Sequence, residues 1–520
     1  MNRSSGSPGG AAGAVQSAPH HQRSKPRKMT TAALHGGRVL WPLAIAILVG
    51  TALRFHHLGA NSLWSDELAT LWLAGHAPGD ILRISSSANF IPPLYFLLVH
   101  GALQVFAEGE VALRLASAVA GICTIPVVWL LLHEITRSPG TANIAGALLA
   151  VNPLHLWFSQ EARPYALLVL FGCCTLLALV RAMRLEGPGY WVAFAVCGAL
   201  TFLTHTTGVT IVAVAWAWAL LSPDRRRVVR PLLASSLAIA IACVPFVLSI
   251  TGALVATGGT FHSPPRSLTG LELPYTLLTF VTGFSFGPAV REIQNWGAVA
   301  ALRAHPFQSA IAGVVLLGAL VVSVVKRRAA MTPFIALLVI HLAAILGLSA
   351  LSGKAYNVRY TLPALVGFVG VISVAGRALR PGPRAVGLTV LVGVALWADV
   401  QWFRSERYGK EDSRAAVAWL RDNLAPGATV AVAPSYGVEP LAYYARKAGA
   451  RIRFLPIGSG ADVPGSTSPD VLVLTRLHHV PDWRELKANF VGRAGVGVRE
   501  VQVVGYEILV GSQAPTRVER

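Results

Sequence analysis

Charged side chains are scarce in this chain, and acidic ones are the scarcest. Asp, Glu, Lys and Arg together make up 13% of the 520 residues, whereas 54% are hydrophobic. A typical soluble domain carries about 25% charged residues, so this composition excludes an ordinary soluble protein and predicts a membrane protein. The 44 basic residues outnumber the 24 acidic ones, but they cluster between apolar runs. That clustering is typical of cytoplasmic loops rather than of nucleic-acid binding.

Cysteine is also sparse. An odd number of cysteines, all within apolar runs, argues against a disulfide framework and against a metal site. We expect them to be small core residues. The chain also lacks a Gly-x-Gly-x-x-Gly segment between a strand and a helix, so no nucleotide site is predicted. The cysteines are Cys123, Cys173, Cys174, Cys197 and Cys243.

Long apolar runs predict about 11 transmembrane helices, each able to cross about 30 Å of hydrocarbon. With this count, the basic connections near residues 181–184, 225–230, 326–328 and 377–384 all fall on one side, which the positive-inside rule makes the cytoplasm. A further apolar segment, Pro92–Phe106, would reverse that agreement, so we predict that it lies in the outer interface. The predicted spans are 39–55, 111–133, 141–158, 163–181, 190–204, 206–222, 230–252, 306–325, 331–351, 359–376 and 385–403.

Composition divides the chain into three parts. Residues 1–37, rich in Gly, Ser, Ala, Pro and Arg, are predicted to form a disordered cytoplasmic tail. Residues 38–403 form the transmembrane module, with outer loops at 56–110 and 253–305. From 404 to 520 charged residues return, and strand-like runs alternate with helical ones, which predicts a small extracytoplasmic α/β domain. The expected fold class is therefore a multi-spanning α-helical membrane protein with interfacial helices and this C-terminal domain.

One short acidic segment stands out in the first outer loop, Trp64-Ser65-Asp66-Glu67. A carboxylate pair at a bilayer surface is unfavourable unless it binds something or does chemistry. Asp66 is placed to deprotonate a hydroxyl as a general base. The simpler alternative is that both acids only cap an interfacial helix. A basic residue nearby, Arg114, is expected to snorkel or to pair with Glu108 or Glu110.

Three basic residues are predicted to share the outer face with these acids: Arg163, Lys354 and Arg359. Guanidinium and ammonium groups donate charge-assisted hydrogen bonds to phosphate oxygens, so they are candidate phosphate ligands. The alternative for Arg163 is an anchor that reaches the lipid head groups. His205 is more simply a hydrogen-bonded core histidine than a catalyst.

Four groups of short segments follow one another on the predicted outer side: Leu58-Gly59 with Ser62 to Glu67, Pro92 to Tyr95 with Ala112 to Leu115, Ser159 to Tyr165, and Arg359 to Pro363. In order and spacing they resemble the integral-membrane, lipid-linked-sugar glycosyltransferases of the C-type fold. The protein O-mannosyltransferases and the lipid A aminoarabinose transferases are nearest in pattern. The chain departs from both at Ile91, because the first branch has a histidine before the two prolines and the second has a lysine beside the proline.

The resemblance implies an inverting transfer of a sugar from a polyprenyl phosphate to an acceptor hydroxyl. Asp66 would be the base, Glu67 would orient it or the acceptor, and Arg163 and Arg359, with Lys354 more weakly, would bind the donor phosphate. No cofactor is certain, and a divalent cation (Mg²⁺ or Mn²⁺) is left open, with Glu67 or Glu161 able to serve it. Residues that would line the substrate site are Trp64, Tyr95, Glu161, Tyr165, His205 and Tyr360.

The expected partners are the lipid-linked sugar, a cell-envelope glycan, lipid or protein acceptor, and membrane lipids, with no nucleic acid. The resemblance places the reaction on the outer face of the cytoplasmic membrane, and the distribution of basic residues predicts a cytoplasmic N-terminus. The alternative is a transporter or lipid flippase, which should show internal repeats and ionisable residues at mid-membrane depth. A third hypothesis is a binding scaffold that uses only the outer domain.

Overall fold

The computed structural model describes residues 37–85, 91–256, 268–352, 356–458, 469–494 and 497–515. The predicted tail, except for its last residue, and Lys354 lie outside the described residues, as does part of the outer loop 253–305. Met1–Trp41 form one compact unit, of which only the start of the first helix is described. Pro42–Arg520 form a second unit, which holds every contact given below.

Helices dominate the part of the chain that is described. The α-helices are α1 (Gly37–Phe55), α2 (Ser65–Ala74), α3 (Pro78–Ile84), α4 (Leu94–Val105), α5 (Glu110–Thr136), α6 (Pro139–Ala150), α7 (Pro153–Ser159), α8 (Tyr165–Leu185), α9 (Pro188–Thr204), α10 (Val209–Leu221), α11 (Arg225–Ala256), α12 (Glu272–Thr282), α13 (Val290–Trp296), α14 (Ala298–Ala304), α15 (Pro306–Val325), α16 (Thr332–Ser352), α17 (Leu362–Arg377), α18 (Pro381–Arg404), α19 (Ser413–Asn423), α20 (Val438–Lys447) and α21 (Trp483–Ala494). Short 3₁₀ helices cover Thr206–Gly208, Ala329–Met331, Val358–Thr361, Ser435–Gly437 and Leu477–His479.

Seven of the described helical segments are long and apolar enough to cross a membrane, and four shorter apolar helices accompany them. Each predicted span contains helix, but the count of 11 spans is not confirmed. The run 141–158 is not one helix: it is split into α6 and α7. The reason is local, because Pro153 begins α7 and the Asn152 side chain caps it, accepting from the His155 backbone N–H at 2.9 Å.

Two of the predicted basic connections, 181–184 and 225–230, lie at the same end of the helices. Arg184, at the end of α8, donates to the backbone oxygen of Glu134 near the end of α5 at 3.2 Å. Arg227, at the start of α11, pairs with Glu186 just after α8. Because α8 begins at Tyr165, the segment before it lies at the opposite end, where the first outer loop is found.

The C-terminal part contains a five-stranded sheet in the order β2-β1-β3-β5-β4. β1 pairs in parallel with β2 and β3, whereas β5 is antiparallel to β3 and β4. The small α/β fold is as predicted, and its strand β2 is a short edge strand with a charged, exposed start. The strands are β1 (Thr429–Ala433), β2 (Arg453–Pro456), β3 (Val471–Thr475), β4 (Arg499–Val503) and β5 (Tyr506–Val510).

This sheet domain shares a hydrophobic core with the first outer loop. Leu63 and Leu73 of the loop belong to the same buried cluster as Leu420 and Val430 of the domain. The polar contacts agree: the Leu63 backbone N–H donates to the Tyr444 hydroxyl at 2.8 Å. The first outer loop is therefore held between the membrane helices and the C-terminal domain.

Candidate active site

The acids of the first loop lie where several outer segments meet. Asp66 and Glu67 occupy the first turn of α2. The connection before α8 supplies Glu161 and Arg163, and the turn before α17 supplies Arg359. The C-terminal domain adds basic residues, among them Lys410 beside Glu161 and Glu67. Three distant parts of the chain thus surround one helix start.

Asp66 is held by two arginines. Its Oδ2 accepts from Arg359 Nη1 at 2.9 Å and lies 3.8 Å from Arg163 Nη2. Arg163 Nη1 also donates to the Asp66 backbone oxygen at 3.1 Å. One third of the Asp66 side chain stays exposed (33%), so a ligand can reach it.

Opposing effects act on the Asp66 carboxyl. Burial alone would raise its pKa, but the positive charges of Arg163, Arg359 and Arg476 outweigh burial and lower the pKa below its usual value. The carboxylate is therefore ionised, but as long as the arginines hold it, it is a weak proton acceptor.

Glu67 faces inward and has no exposed side-chain surface (0%). Its two oxygens accept from Arg114 Nε and Nη2, both at 2.8 Å, and Oε1 also accepts from the Ala162 backbone N–H at 2.8 Å. Burial raises the Glu67 pKa, but Arg114 and Lys410 more than offset this and lower it to about 2. The expectation that Arg114 snorkels or pairs with Glu108 or Glu110 is wrong. Arg114 instead forms a buried bidentate pair with Glu67, which accepts from two of its N–H donors.

Arg359 and Arg163 retain donors that no described residue uses. The Nε atoms of both are buried and without a hydrogen-bond partner among the described residues. The Arg359 guanidinium lies 5.2 Å from the ring centre of Tyr360 and 5.7 Å from that of Tyr165. Stacking of this kind fixes the plane of a guanidinium and leaves its edge free for an anion.

The predicted lining residues separate into two groups. Tyr165, His205 and Tyr360 form an aromatic cluster beside Arg359, with ring centres 5.6–6.2 Å apart. Tyr95 has no exposed surface (0%), and its hydroxyl bonds to Ser117, which in turn donates to the Arg163 backbone oxygen. Tyr95 therefore supports the site from behind rather than lining it.

Two basic residues of the C-terminal domain complete the site, and sequence reasoning missed both. Lys410 Nζ lies 3.6 Å from Glu161 and 4.0 Å from Glu67. Arg476 lies over the Trp64 ring at 4.9 Å and bonds to Glu411 through Nε at 2.8 Å. Neither sits in a segment that resembles a motif, so no signal in the chain pointed to them. They neutralise acids that only the folded chain brings together.

Carboxylates near Lys410 do not form a ready site for a divalent cation. Among the residues the structure describes, there is no group of three or more His, Cys, Asp or Glu side chains placed to hold a metal ion. The ammonium of Lys410 already stands between Glu161 and Glu67, where a cation would have to bind. Burial raises the Glu161 pKa, which further weakens it as a metal ligand.

Comparison with known proteins identifies the fold. Residues 91–250 match the family model described as dolichyl-phosphate-mannose-protein mannosyltransferase. The structure is similar to ArnT from Cupriavidus metallidurans in the apo state, with a TM-score of 0.57 and 15% identity over 92% of this chain and 98% of that one. ArnT bound to undecaprenyl phosphate gives a TM-score of 0.53 at 15% identity, with coverage of 92% and 98%.

A third similar structure is the archaeal oligosaccharyltransferase AglB from Archaeoglobus fulgidus, solved with an inhibitory peptide and a dolichol-phosphate. Its TM-score is 0.51 at 15% identity, over 92% of this chain and 74% of that one. No curated protein sequence matches the chain significantly. The resemblance predicted from the outer segments is confirmed: the chain has the ArnT-like fold, and part of it matches the mannosyltransferase family.

Proposed function

We propose that this protein transfers a sugar, with inversion, from a polyprenyl-phosphate donor to an acceptor hydroxyl on the outer face of the cytoplasmic membrane. The observation that carries the proposal is the placement of Asp66 against Arg163 and Arg359. A carboxylate for the acceptor proton and two guanidinium groups for a leaving phosphate are the parts this reaction needs. The fold and the family match of residues 91–250 support the same reaction.

The chemistry follows from that pairing. The acceptor oxygen attacks the anomeric carbon while the bond from that carbon to the phosphate oxygen breaks. The proton of the acceptor hydroxyl goes to Asp66, and the bonding electron pair leaves with the polyprenyl phosphate, whose new charge Arg163 and Arg359 stabilise. Attack opposite the leaving group inverts the anomeric configuration.

The donor phosphate would also release the base. In the structure described, Arg359 Nη1 is bound to Asp66 at 2.9 Å. A phosphate carries more charge and more acceptor oxygens than a carboxylate, so it competes well for the same guanidinium. When Arg359 turns to the phosphate, Asp66 loses a partner and becomes a better proton acceptor.

Orientation and domain division belong to the same proposal. Residues 1–37 would be cytoplasmic, 38–403 would form the transmembrane module, and 404–520 would form an extracytoplasmic domain. The basic helix connections at the end opposite the site support this orientation. Nucleotide sugars are cytosolic, so a transferase on the outer face requires a membrane-borne donor.

The test is donor consumption by purified protein in lipid nanodiscs, with radiolabelled polyprenyl-phosphate mannose and polyprenyl-phosphate arabinose as probes and envelope extract as acceptor. Asp66→Asn is expected to lower the transfer rate by about 10²-fold or more, because it removes the base. Asp422→Asn, at an exposed acid of the same protein (57% exposed), is the matched control. If Asp66→Asn transferred sugar as fast as the control, the assignment of the base would be wrong. If the unaltered protein consumed neither donor while moving lipid across the bilayer, the transporter alternative would replace the proposal.

A further inference from the structure

Helix α16 carries one ionisable side chain, His341, near its middle, and the proposed reaction does not use it. α16 belongs to the helical segments that are long and apolar enough to cross a membrane. His341 is fully buried there (0% exposed). An ionisable group inside such a helix is unfavourable unless it has partners or a function. The two partners of its ring indicate what this histidine does.

Both ring nitrogens of His341 form hydrogen bonds with other parts of the chain. Nε2 lies 2.8 Å from the backbone oxygen of Tyr360, in the turn before α17. Nδ1 lies 2.6 Å from Thr210 Oγ1, at the start of α10. A carbonyl oxygen only accepts, so the ring hydrogen is assigned to Nε2, and in the neutral ring Nδ1 then accepts from the Thr210 hydroxyl. His341 therefore joins the start of α10 to the turn that carries Arg359.

The Tyr360 carbonyl lies well inside the helix bundle. α16 ends at Ser352, eleven residues beyond His341, which is about 16 Å at 1.5 Å per residue. The turn Val358–Thr361 therefore folds back along α16, and its first and last residues are buried. Irregular backbone at such a depth is tolerated where protein groups satisfy it. The Nε2–H group of His341 is the donor for this carbonyl.

Tyr360 in turn sets the direction of Arg359. The Arg359 guanidinium lies 5.2 Å from the Tyr360 ring centre, and its Nη2 donates to the Tyr360 hydroxyl at 3.2 Å. Nη1 of the same guanidinium donates to Asp66 at 2.9 Å. His205 also packs on Tyr360, with ring centres 5.6 Å apart. Tyr360 is thus held by its backbone through His341 and contacts Arg359 through its ring and hydroxyl.

We propose that His341 is a positioning residue for the donor phosphate: it fixes the backbone of Tyr360 and, through Tyr360, the guanidinium of Arg359. The inference rests on the proposed function and deepens it, since Arg359 is the group that would exchange Asp66 for the phosphate. Without the Nε2–H group, the buried Tyr360 carbonyl loses its donor, and a buried acceptor without a partner is unfavourable. The turn then shifts to find another partner and takes Arg359 with it.

Two substitutions separate the two hydrogen bonds of the ring. The amide nitrogen of glutamine reaches the place of Nε2, whereas the amide of asparagine reaches only that of Nδ1. His341→Gln therefore keeps a donor for Tyr360, and His341→Asn keeps a partner for Thr210 but loses that donor. Full-length variants in nanodiscs are assayed for binding of unlabelled polyprenyl phosphate and for transfer with the labelled donors. His100→Asn is the control, because His100 bonds to the Ala74 backbone oxygen on another helix.

His341→Asn is expected to raise the Kd of polyprenyl phosphate and the donor KM about tenfold or more, as the loss of one buried hydrogen bond would. His341→Gln should keep both values within about threefold of those of the unaltered protein. The acceptor KM should change in neither variant, and His100→Asn should change none of these values. Equal donor binding in the two His341 variants would overturn the proposal. A lower melting temperature with unchanged donor binding would also overturn it.

The two proposals can fail separately. Weaker polyprenyl-phosphate binding in His341→Asn than in His341→Gln, in a protein that transfers no sugar, would keep the role of His341 and remove the proposed reaction. Transfer that Asp66→Asn abolishes, with equal donor binding in both His341 variants, would keep the reaction and remove this role.

A measurement on the unaltered protein decides the question if His341→Asn fails to fold. The nitrogen NMR signals of the His341 ring are assigned by comparison with His341→Gln. We expect the hydrogen on Nε2 and a change of the signal when polyprenyl phosphate is added. A hydrogen on Nδ1, or a signal that polyprenyl phosphate leaves unchanged, would contradict the proposal.

Discussion

As the proposed base, Asp66 has to satisfy two opposing requirements. A general base must be able to take up a proton, yet Arg359 and Arg163 hold this carboxylate in its ionised form. Both requirements are met if the arginines move to the donor phosphate during the reaction. The ion pair then keeps Asp66 deprotonated in the free protein, and binding of the donor makes it basic. The order of binding would be donor first and acceptor second.

This exchange predicts a difference between two pH profiles. In the free protein, burial raises the Asp66 pKa but the arginines outweigh it, so the pKa is lowered. The acid limb of kcat/KM, which reports the free enzyme, should therefore lie below the ordinary aspartate pKa of about 3.9. The acid limb of kcat, which reports the donor complex, should lie at higher pH. Both are measured with saturating acceptor, and limbs at the same pH would contradict the exchange.

Glu67 is predicted to act through structure rather than by touching substrate. Glu67→Gln leaves Arg114 buried without its counter-charge, and breaking a buried pair in this way costs about 3–5 kcal/mol. The melting temperature of the purified protein, followed by tryptophan fluorescence, should fall clearly. Glu485→Gln, at an exposed position on α21, is the control. The double variant Glu67→Gln/Arg114→Gln should lower the melting temperature by less than the two single variants together. Strictly additive effects would argue against a coupled pair.

Sequence reasoning brought Asp66, Glu67, Arg163 and Arg359 to one outer face, and the structure places them within contact of one another or of shared neighbours. It did not find Lys410, because a lysine in a polar domain carries no sign of its partners. The structure also separates the roles of the two neighbouring acids. In the first turn of α2, Asp66 faces the solvent side and Glu67 faces α5. Neighbouring positions of a helix point in different directions, which the sequence alone does not show.

At the scale of elements, α17 packs very closely against α16. Gly367 lies against α16, where an added Cβ would come within 2.6 Å of the Phe334 backbone oxygen and 2.8 Å of the Leu338 backbone nitrogen. Small residues allow membrane helices to pack this closely. The turn that carries Arg359 leads directly into α17, so this packing helps to fix the position of the proposed phosphate-binding residue.

Gly367→Val should therefore disturb both stability and the site. Overpacking a tight contact costs about 1–3 kcal/mol, and here the obstacle is backbone, which cannot swing aside. The fraction of monodisperse protein after mild heating should fall, and donor binding should weaken. Gly376→Val on the same helix is the matched control, because a Cβ there meets no atom within 4 Å. Equal behaviour of the two variants would mean that the α16–α17 contact is loose.

The helix positions could be predicted because the length of an apolar run and the Pro or Gly residues that bound it are local sequence signals. The break between α6 and α7 was missed, although Asn152 and Pro153 form a helix-start signal within the apolar run. The long outer loop contains α12 to α14 as well as residues that are not described. Its short helices are amphipathic pieces whose packing depends on tertiary partners, so sequence alone does not place them.

At the scale of the whole molecule, the predicted orientation can be tested by chemical labelling. In a variant with all five native cysteines replaced, Asp482→Cys reports the C-terminal domain and Asp224→Cys reports a basic connection. Both positions are exposed. A membrane-impermeant maleimide added to intact cells whose outer barrier is permeabilised should label only the first variant, and lysed cells should show both. Labelling of Asp224→Cys alone in intact cells would reverse the proposed topology.

Much of the positive charge around Asp66 comes late in the chain. Arg163 follows it by 97 positions and Arg359 by 293, and Lys410 and Arg476 follow later still. A ribosome therefore makes the early partners of the two acids, Arg114 and Arg163, long before it makes the others. Until Arg359 is made, Asp66 lacks the closer of its two guanidinium partners. Any premature stop before position 476 would release a product that has Asp66 and Glu67 but not their full set of counter-ions, and we expect quality-control proteases to degrade it.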